Sequence, residues 1–330
     1  MRRPVYIFSS GELKRKGNTL CFVKDGEKKF MPIKNVGEIY VFGELSLNKR
    51  LLEFLSSNKI TIHFFNYYGY YVGSFYPREH YNSGYIILKQ VEHYLDYKKR
   101  LCLATKFVKG AIINMVKVLK YYSVRGKPTE NSIEALESAL SGILTATKVE
   151  ELMAIEGNAR KEYYRAFDDI IEDPVYRFEG RTKRPPRTKL DSLISFGNSL
   201  LYTTTLSEIY KTHLDPRIGF LHTTNFRKFS LNLDVAEVFK PVIVDRVIFT
   251  LLNRRMLDKS DFMEQFGGIF LNDKGRNTFI SEYENKLRST IRHKGLKRNA
   301  SYRRLIRLEL YKIEKHLIGE KEYVPFTTRW

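Results

Sequence analysis

Two histidines and three acids gather in a stretch that is otherwise apolar and basic. It reads His213-Leu-Asp-Pro-Arg-Ile-Gly-Phe-Leu-His222, followed by Ser230-Leu-Asn-Leu-Asp234-Val-Ala-Glu237-Val-Phe-Lys-Pro241. Imidazole and carboxylate together can hold a divalent cation such as Mg²⁺ or Mn²⁺. Ser230 is placed to cap a helix through Leu231 and Val238. Asp234 and Glu237, three apart, would then lie on neighbouring parts of one helical face. The polar loop 223–228 could fold His222 back over that face, and Pro241 should stop or kink the helix. The same pattern also describes a surface helix with ordinary acids and an incidental histidine, and spacing alone does not choose between them.

A further acid stands out upstream. Thr147-Lys-Val-Glu150 has capping-box form, so a helix should start there and run to about Ile171, with a stripe of Val149, Leu152, Ala159, Tyr163 and Ala166. Glu156 falls on that stripe, and a carboxylate buried without a partner is costly. An arginine or a metal would serve. Gly157 beside it weakens the helix by ~1 kcal/mol and leaves room for an approaching group.

Cations are concentrated in two places. Residues 173–190 hold Arg177, Arg181, Lys183, Arg184, Arg187 and Lys189 around Pro185-Pro186, without periodicity. The density of arginine there favours phosphate contact over an ordinary solvated loop. The second concentration includes Arg288, Arg292, Lys294, Lys297, Arg298, Arg303, Arg304 and Arg307, on what read as basic amphipathic helices 279–293 and 301–317. Lys and Arg number 57 against 37 Asp and Glu, a net charge of +20 that favours a polyanion, nucleic acid before a membrane surface.

The elements that must position these groups divide into two regions. Residues 1–75 carry short β-rich runs: Val5–Phe8, Leu20–Val23 and Lys29–Ile33 around an Asp25-Gly26 hairpin signal, Val36–Phe42, Ile60–Phe65 and Tyr71–Phe75. A helix is expected over Leu47–Ser57. His63, in an apolar strand, reads as a packed residue rather than a ligand. Residues 76–84 form a Pro/Gly/polar linker. From residue 85 onward the spacing is helical, with a long run from Ile86 to Tyr122 broken at Arg125–Thr129. Asp191-Ser192 should cap a helix reaching His213, Val242–Leu257 should form another, and Asp273-Lys-Gly275 reads as a turn. The fold class is therefore α+β: a small β-rich N-terminal domain and a larger all-α C-terminal domain at 85–330, long enough together for two cores. No run of about 18 apolar residues is present, so no transmembrane helix is expected. The basic start does not resemble a signal peptide. Cys21 and Cys102 match no zinc or redox spacing, and the cytoplasm is the simplest location.

Three pieces together resemble one known family. They are Glu151-Leu-Met-Ala-Ile-Glu156-Gly-Asn-Ala-Arg-Lys-Glu-Tyr-Tyr, Asp191-Ser-Leu-Ile-Ser-Phe-Gly-Asn198-Ser-Leu-Leu-Tyr, and the His222 and Asp234–Glu237 stretch above. In order and spacing they are similar to the CRISPR-associated integrase of spacer acquisition, the "Cas one" family, along the whole chain. The resemblance implies metal ligands at Glu156, His222 and Glu237, the last replacing the Asp that many relatives carry. It implies an assisting acid at Asp234, and site-lining roles for Asn198 and Tyr202. His213 reads as structural. The implied chemistry is attack of a DNA 3′-hydroxyl on a phosphodiester with Mg²⁺ or Mn²⁺, and nicking or cutting of branched DNA at the same site. Implied partners are double-stranded and branched DNA, a second copy of the chain joined through residues 1–75, and the small "Cas two" protein. Two alternatives use the same residues: a general metal-dependent nuclease or resolvase for branched DNA, and a non-catalytic nucleic-acid-binding scaffold.

Overall fold

A computed structural model of the chain describes residues 2–77, 81, 83–223, 229–293, 295 and 297–329. The chain divides into two compact units, 1–80 and 81–330.

Among its described residues the first unit is built from two four-stranded sheets, one α-helix and a short 3-10 helix at Ile33–Asn35. Its elements are β1 (Arg3–Ile7), β2 (Gly11–Lys16), β3 (Thr19–Lys24), β4 (Glu27–Pro32), β5 (Val36–Val41), β6 (Leu45–Ser46), α1 (Lys49–Ser57), β7 (Thr61–Phe65) and β8 (Tyr71–Phe75). One sheet runs β1-β5-β7-β8 and the other β4-β3-β2-β6. β5 pairs in parallel with both β1 and β7. The Asp25-Gly26 signal is the turn between β3 and β4, with both residues at positive φ as a type I′ turn requires. Leu13, Leu20, Ile39, Leu51, Leu55 and Ile62 form its core, each excluded from solvent. Burial of each such side chain contributes roughly 1.5–3 kcal/mol. His63 is buried, with Nδ1 against Ser74 Oγ at 2.6 Å, a packed residue as its strand setting indicated.

The second unit is helical around α3. It contains α2 (Gly84–Leu95), α3 (Tyr97–Ser123), α4 (Glu130–Ile143), α5 (Val149–Arg165), α6 (Phe167–Ile171), α7 (Lys189–Ile209), α8 (Leu231–Phe239), α9 (Arg246–Asn253), α10 (Asp273–Arg288) and α11 (Tyr302–Leu317). The long run 86–122 is two helices, because Asp96 breaks away and accepts from Lys99 N to cap α3. Between α8 and α9, Pro241–Asp245 winds into a π turn, so Pro241 interrupts the helix as its missing N–H dictates. α3 packs on α4, α5 and α8.

Several local expectations need correction. The unit is not purely helical: β9 (Phe262–Gln265) pairs with β10 (Gly268–Leu271), and β11 (Thr290–His293) with β12 (Arg298–Ser301). Asp273–Gly275 is no turn but the first turn of α10, because Asn272 Oδ1 accepts from Gly275 N. α7 starts three residues early, capped by Thr188, which frees Asp191 for another task. Glu151, not Glu150, closes the box at the start of α5 by accepting from Thr147 N and Lys148 N. α7 is buried on nearly every side, including Thr203, Thr204 and Thr205, so its inward stripe was too narrow a description. Among the described residues no helix is long and apolar enough to cross a membrane.

Candidate active site

α8 supplies two acids to the site. Asp234 is fully buried, and its carboxylate accepts from the backbone N–H groups of Phe220, Leu221 (3.0 Å) and His222 (2.9 Å). Gly219 lets it approach: a Cβ there would stand 2.8 Å from Asp234 Oδ2. Three amide donors on one carboxylate tie the 220–222 segment to the helix. Ser230 does not cap α8; its Oγ accepts from Gly219 N and donates to Arg217 O, bracing the same segment. Asp234 Oδ1 also stands 2.8 Å from His222 Nδ1. This fixes the ring and leaves Nε2 as the outward nitrogen, the arrangement by which a carboxylate orients a metal-binding imidazole. Burial works to lower the His222 pKa, but the Asp234 hydrogen bond and charge, with Glu237 beyond, raise it above its ordinary value. Residues 224–228 of the polar loop lie outside the described residues.

One turn on, Glu237 meets two cations. Its Oε2 accepts from Arg160 NH2 at 2.7 Å, and its Oε1 pairs with Lys240 Nζ. Burial would push its carboxyl up, yet Lys240, Arg160 and His222 hold it at about 2. Glu156, on α5, accepts at Oε1 from Arg160 Nε (3.0 Å) and NH2 (2.9 Å). One guanidinium nitrogen thus joins Glu156 to Glu237, and their oxygens lie no further apart than the sum of those two contacts. The arginine four residues later is thus a partner of Glu156. Arg160 is buried and its NH1 is left without a hydrogen-bond partner.

Lys240 Nζ lies 5.0 Å from the Tyr202 ring centroid. Asn198 is buried with Oδ1 unsatisfied. Asp245, from the π turn, is fully buried, and burial pushes its carboxyl up to about 7 against the pull of Arg160 and Lys240. His213 sits apart, its N–H on Glu314 Oε1 and its Nδ1 against the Tyr81 carbonyl.

The donor types fit a hard divalent cation: two acids brought to one point and an imidazole with Nδ1 already engaged. As the side chains stand, no group of three His, Cys, Asp or Glu among the described residues closes around an ion. Arg160 and Lys240 are ion-paired with the carboxylates. Arg160, Lys240 and Asp245 were not singled out from sequence. The i,i+4 spacing of Glu156 and Arg160 and the i,i+3 spacing of Glu237 and Lys240 were the available signals.

The basic loop has two kinds of cation. Arg181 is structural: NH1 donates to Asp191 Oδ1 (3.0 Å) and NH2 to Ser195 Oγ (2.8 Å). Asp191 also accepts from Thr182 N, so this pair folds the loop onto α7. Arg177, Lys183, Arg184 and Arg187 are exposed, and Lys189 partly so. Partial desolvation and the nearby cations Lys240 and Arg181 lower the Lys183 pKa, and Glu237 and Glu156 lie within electrostatic reach of it. In the second cluster, Arg303 pairs with Glu284 (2.9 Å) and Arg307 with buried Glu208 (2.6 Å). Arg288 and Arg292 are exposed, Arg288 standing 3.8 Å from Glu284. Lys294 lies outside the described residues.

A family model described as "CRISPR associated protein Cas1" matches residues 5–285. The chain belongs to the Cas1 family. It is 59% identical over 330 residues, all of both chains, to a CRISPR-associated endonuclease Cas1 of Thermodesulfovibrio yellowstonii. A solved Cas1 protein from Thermotoga maritima is 51% identical, with a TM-score of 0.87 over 98% of this chain and 99% of that one. The fold recurs in a casposase bound to its integration product (20% identity, TM-score 0.88, 99% and 94% covered). It recurs again within a Cas6-RT-Cas1–Cas2 complex (16%, 0.86, all of this chain and 36% of that one).

Proposed function

We propose that this Cas1 protein is a metal-dependent DNA endonuclease and integrase that inserts captured fragments into a CRISPR array. One observation carries the assignment: Glu156 and Glu237, from α5 and α8, share one nitrogen of Arg160 beside an imidazole anchored by Asp234. Glu156, Glu237 and His222 Nε2 would hold Mg²⁺ or Mn²⁺. When bound, the cation lowers the pKa of an attacking hydroxyl and offsets charge on the phosphoryl oxygens.

The chain's own residues do the rest. Asp234 keeps the imidazole in one orientation. Arg160 and Lys240 balance the charge of the acids. Arg184 and Arg187, with Lys183 nearer the acids, take the phosphates of the DNA. A 3′-hydroxyl then attacks a phosphodiester and the departing 3′-oxygen takes a proton; water in place of the hydroxyl gives cleavage. No protein nucleophile enters this sequence. The high identity to a named Cas1 endonuclease and the shared fold of a casposase caught with integration product support this assignment. A second copy of the chain joined through the β-rich unit, and Cas2 as assembly partner, complete the proposal; a Cas1–Cas2 assembly of the same fold supports the latter.

The test is Glu156→Ala in an assay with a supercoiled repeat-containing plasmid, with and without Cas2 and Mn²⁺. Strand transfer should vanish while DNA binding persists. Retained transfer would remove Glu156 from the site. Cleavage of branched DNA without any preference for the repeat would instead mark a general nuclease.

A further inference from the structure

The β9–β10 hairpin turns through Phe266 and Gly267, at φ +51° and +72°, with Gln265 paired to Gly268 across the turn. Two central residues at positive φ make a type I′ connection, whose first position favours Asn, Asp or Gly. A phenylalanine there is strained. Its ring is also 78% exposed. Backbone outliers of this kind concentrate where function requires them, and this one carries a largely exposed ring.

The hairpin is fixed to the basic loop. Ile269 N donates to the Pro186 carbonyl at 2.8 Å. Gly268 lies so close to Pro185 that a Cβ would stand 2.5 Å from the proline Cβ. Exposed Arg184 and Arg187 flank these prolines, and Lys183, next along, has Glu156 and Glu237 within electrostatic reach. Along Lys183–Pro186 and back from Ile269 to Phe266, the backbone path from Lys183 to Phe266 is at most about 25 Å. That corresponds to about seven base pairs of duplex.

We propose that Phe266 is a base-stacking finger: it takes the face of an unpaired base at a DNA end, flap or branch whose phosphates run along Arg184 and Arg187. The inference rests on the DNA-acting function above and adds the place where a disrupted duplex is sensed. A flat ring among cations suits a base, since every base offers a π face. A protein partner would call for a wider apolar patch, whereas Gln265, Gly267 and Gly268 flank this ring.

Phe266→Asn suits the turn and removes the ring, so thermal stability should hold or rise. Affinity for intact duplex should be unchanged, and affinity for a forked duplex with unpaired bases should fall about 5- to 150-fold. With 2-aminopurine stepped through the unpaired positions, the wild-type protein should alter its fluorescence within about a dozen nucleotides of the phosphodiester acted upon. Phe266→Trp should keep that response and Phe266→Asn lose it. Equal forked-DNA affinity and equal fluorescence in Phe266→Asn would overturn the finger. So would a defect confined to self-association in sedimentation, which would make the ring a protein contact. If the wild type binds forked DNA in a salt-dependent way with no aminopurine response, the finger fails and the DNA function stands. If it binds no DNA at all, both fail.

Discussion

Replacing Arg160 with Met tests the electrostatic logic of the site most directly. The guanidinium makes two contacts with Glu156 and one with Glu237, and its side chain is only 11% exposed. Removing one partner of a buried ion pair costs about 3–5 kcal/mol, because the other charge is left unpaired. Two features reduce that cost here. Glu237 keeps Lys240, and the Glu156 side chain, at 19% exposure, can recruit water. A loss of about 2–4 kcal/mol is therefore expected in EDTA. For a unit of this size it corresponds to a fall in melting temperature of about 5–15 °C. Mn²⁺ should reverse much of it. A ligand at a hundred times its Kd stabilises by about 2.7 kcal/mol, and the variant presents both carboxylates without a resident cation to displace. The Mn²⁺-induced rise, followed by scanning fluorimetry, should be larger in Arg160→Met than in wild type, and should vanish in the Arg160→Met, Glu156→Gln double variant. Equal stability in EDTA would refute the bridging role. An unchanged Mn²⁺ response would refute the link between that bridge and a metal site.

Other predictions follow from individual contacts. Asp245 has its carboxyl raised to about 7 by burial, above an unfolded value near 4. Folding therefore favours its protonated form, and its contribution to stability is intact below pH ~4 and lost as pH rises to 7. Asp245→Asn should match wild type below pH ~4 and exceed it by up to about 4 kcal/mol at pH 8; a difference in melting temperature that is flat with pH would contradict this. Arg184→Gln with Arg187→Gln should reduce the salt slope of DNA binding by about 2, read by anisotropy at several salt concentrations. Arg181→Gln should chiefly lower stability, since that cation holds Asp191 and Ser195. Asn114 donates to Val238 O and Phe326 O and accepts from Thr328 N, clipping the C-terminal tail to α8. Asn114→Ala should cost about 2–3 kcal/mol and expose the tail to proteolysis; a tail as protease-resistant as in wild type would count against the clip.

Local pattern and local chemistry were legible without coordinates. Asp25-Gly26 specified a hairpin because few residues tolerate its dihedrals, and Pro241 marked the end of α8 because it lacks an N–H. The Glu156, His222 and Asp234–Glu237 motifs pointed to a family, and that family is the one matched. Boundaries and partners were less accessible. Asp273–Gly275 reads as a turn until Asn272 is seen capping α10, and Asp191 reads as a cap until Arg181 and Thr182 are seen on it. The cations that hold the acids, Arg160 across from Glu237 and Lys240 against Tyr202, depend on how α5, α7 and α8 cross, which no local spacing encodes. Residue type and periodicity determine which groups can be charged and which face a helix buries. Only the packing of helices distant in sequence decides which charges share a low-dielectric space, and that shared space sets protonation at Glu237 and Asp245.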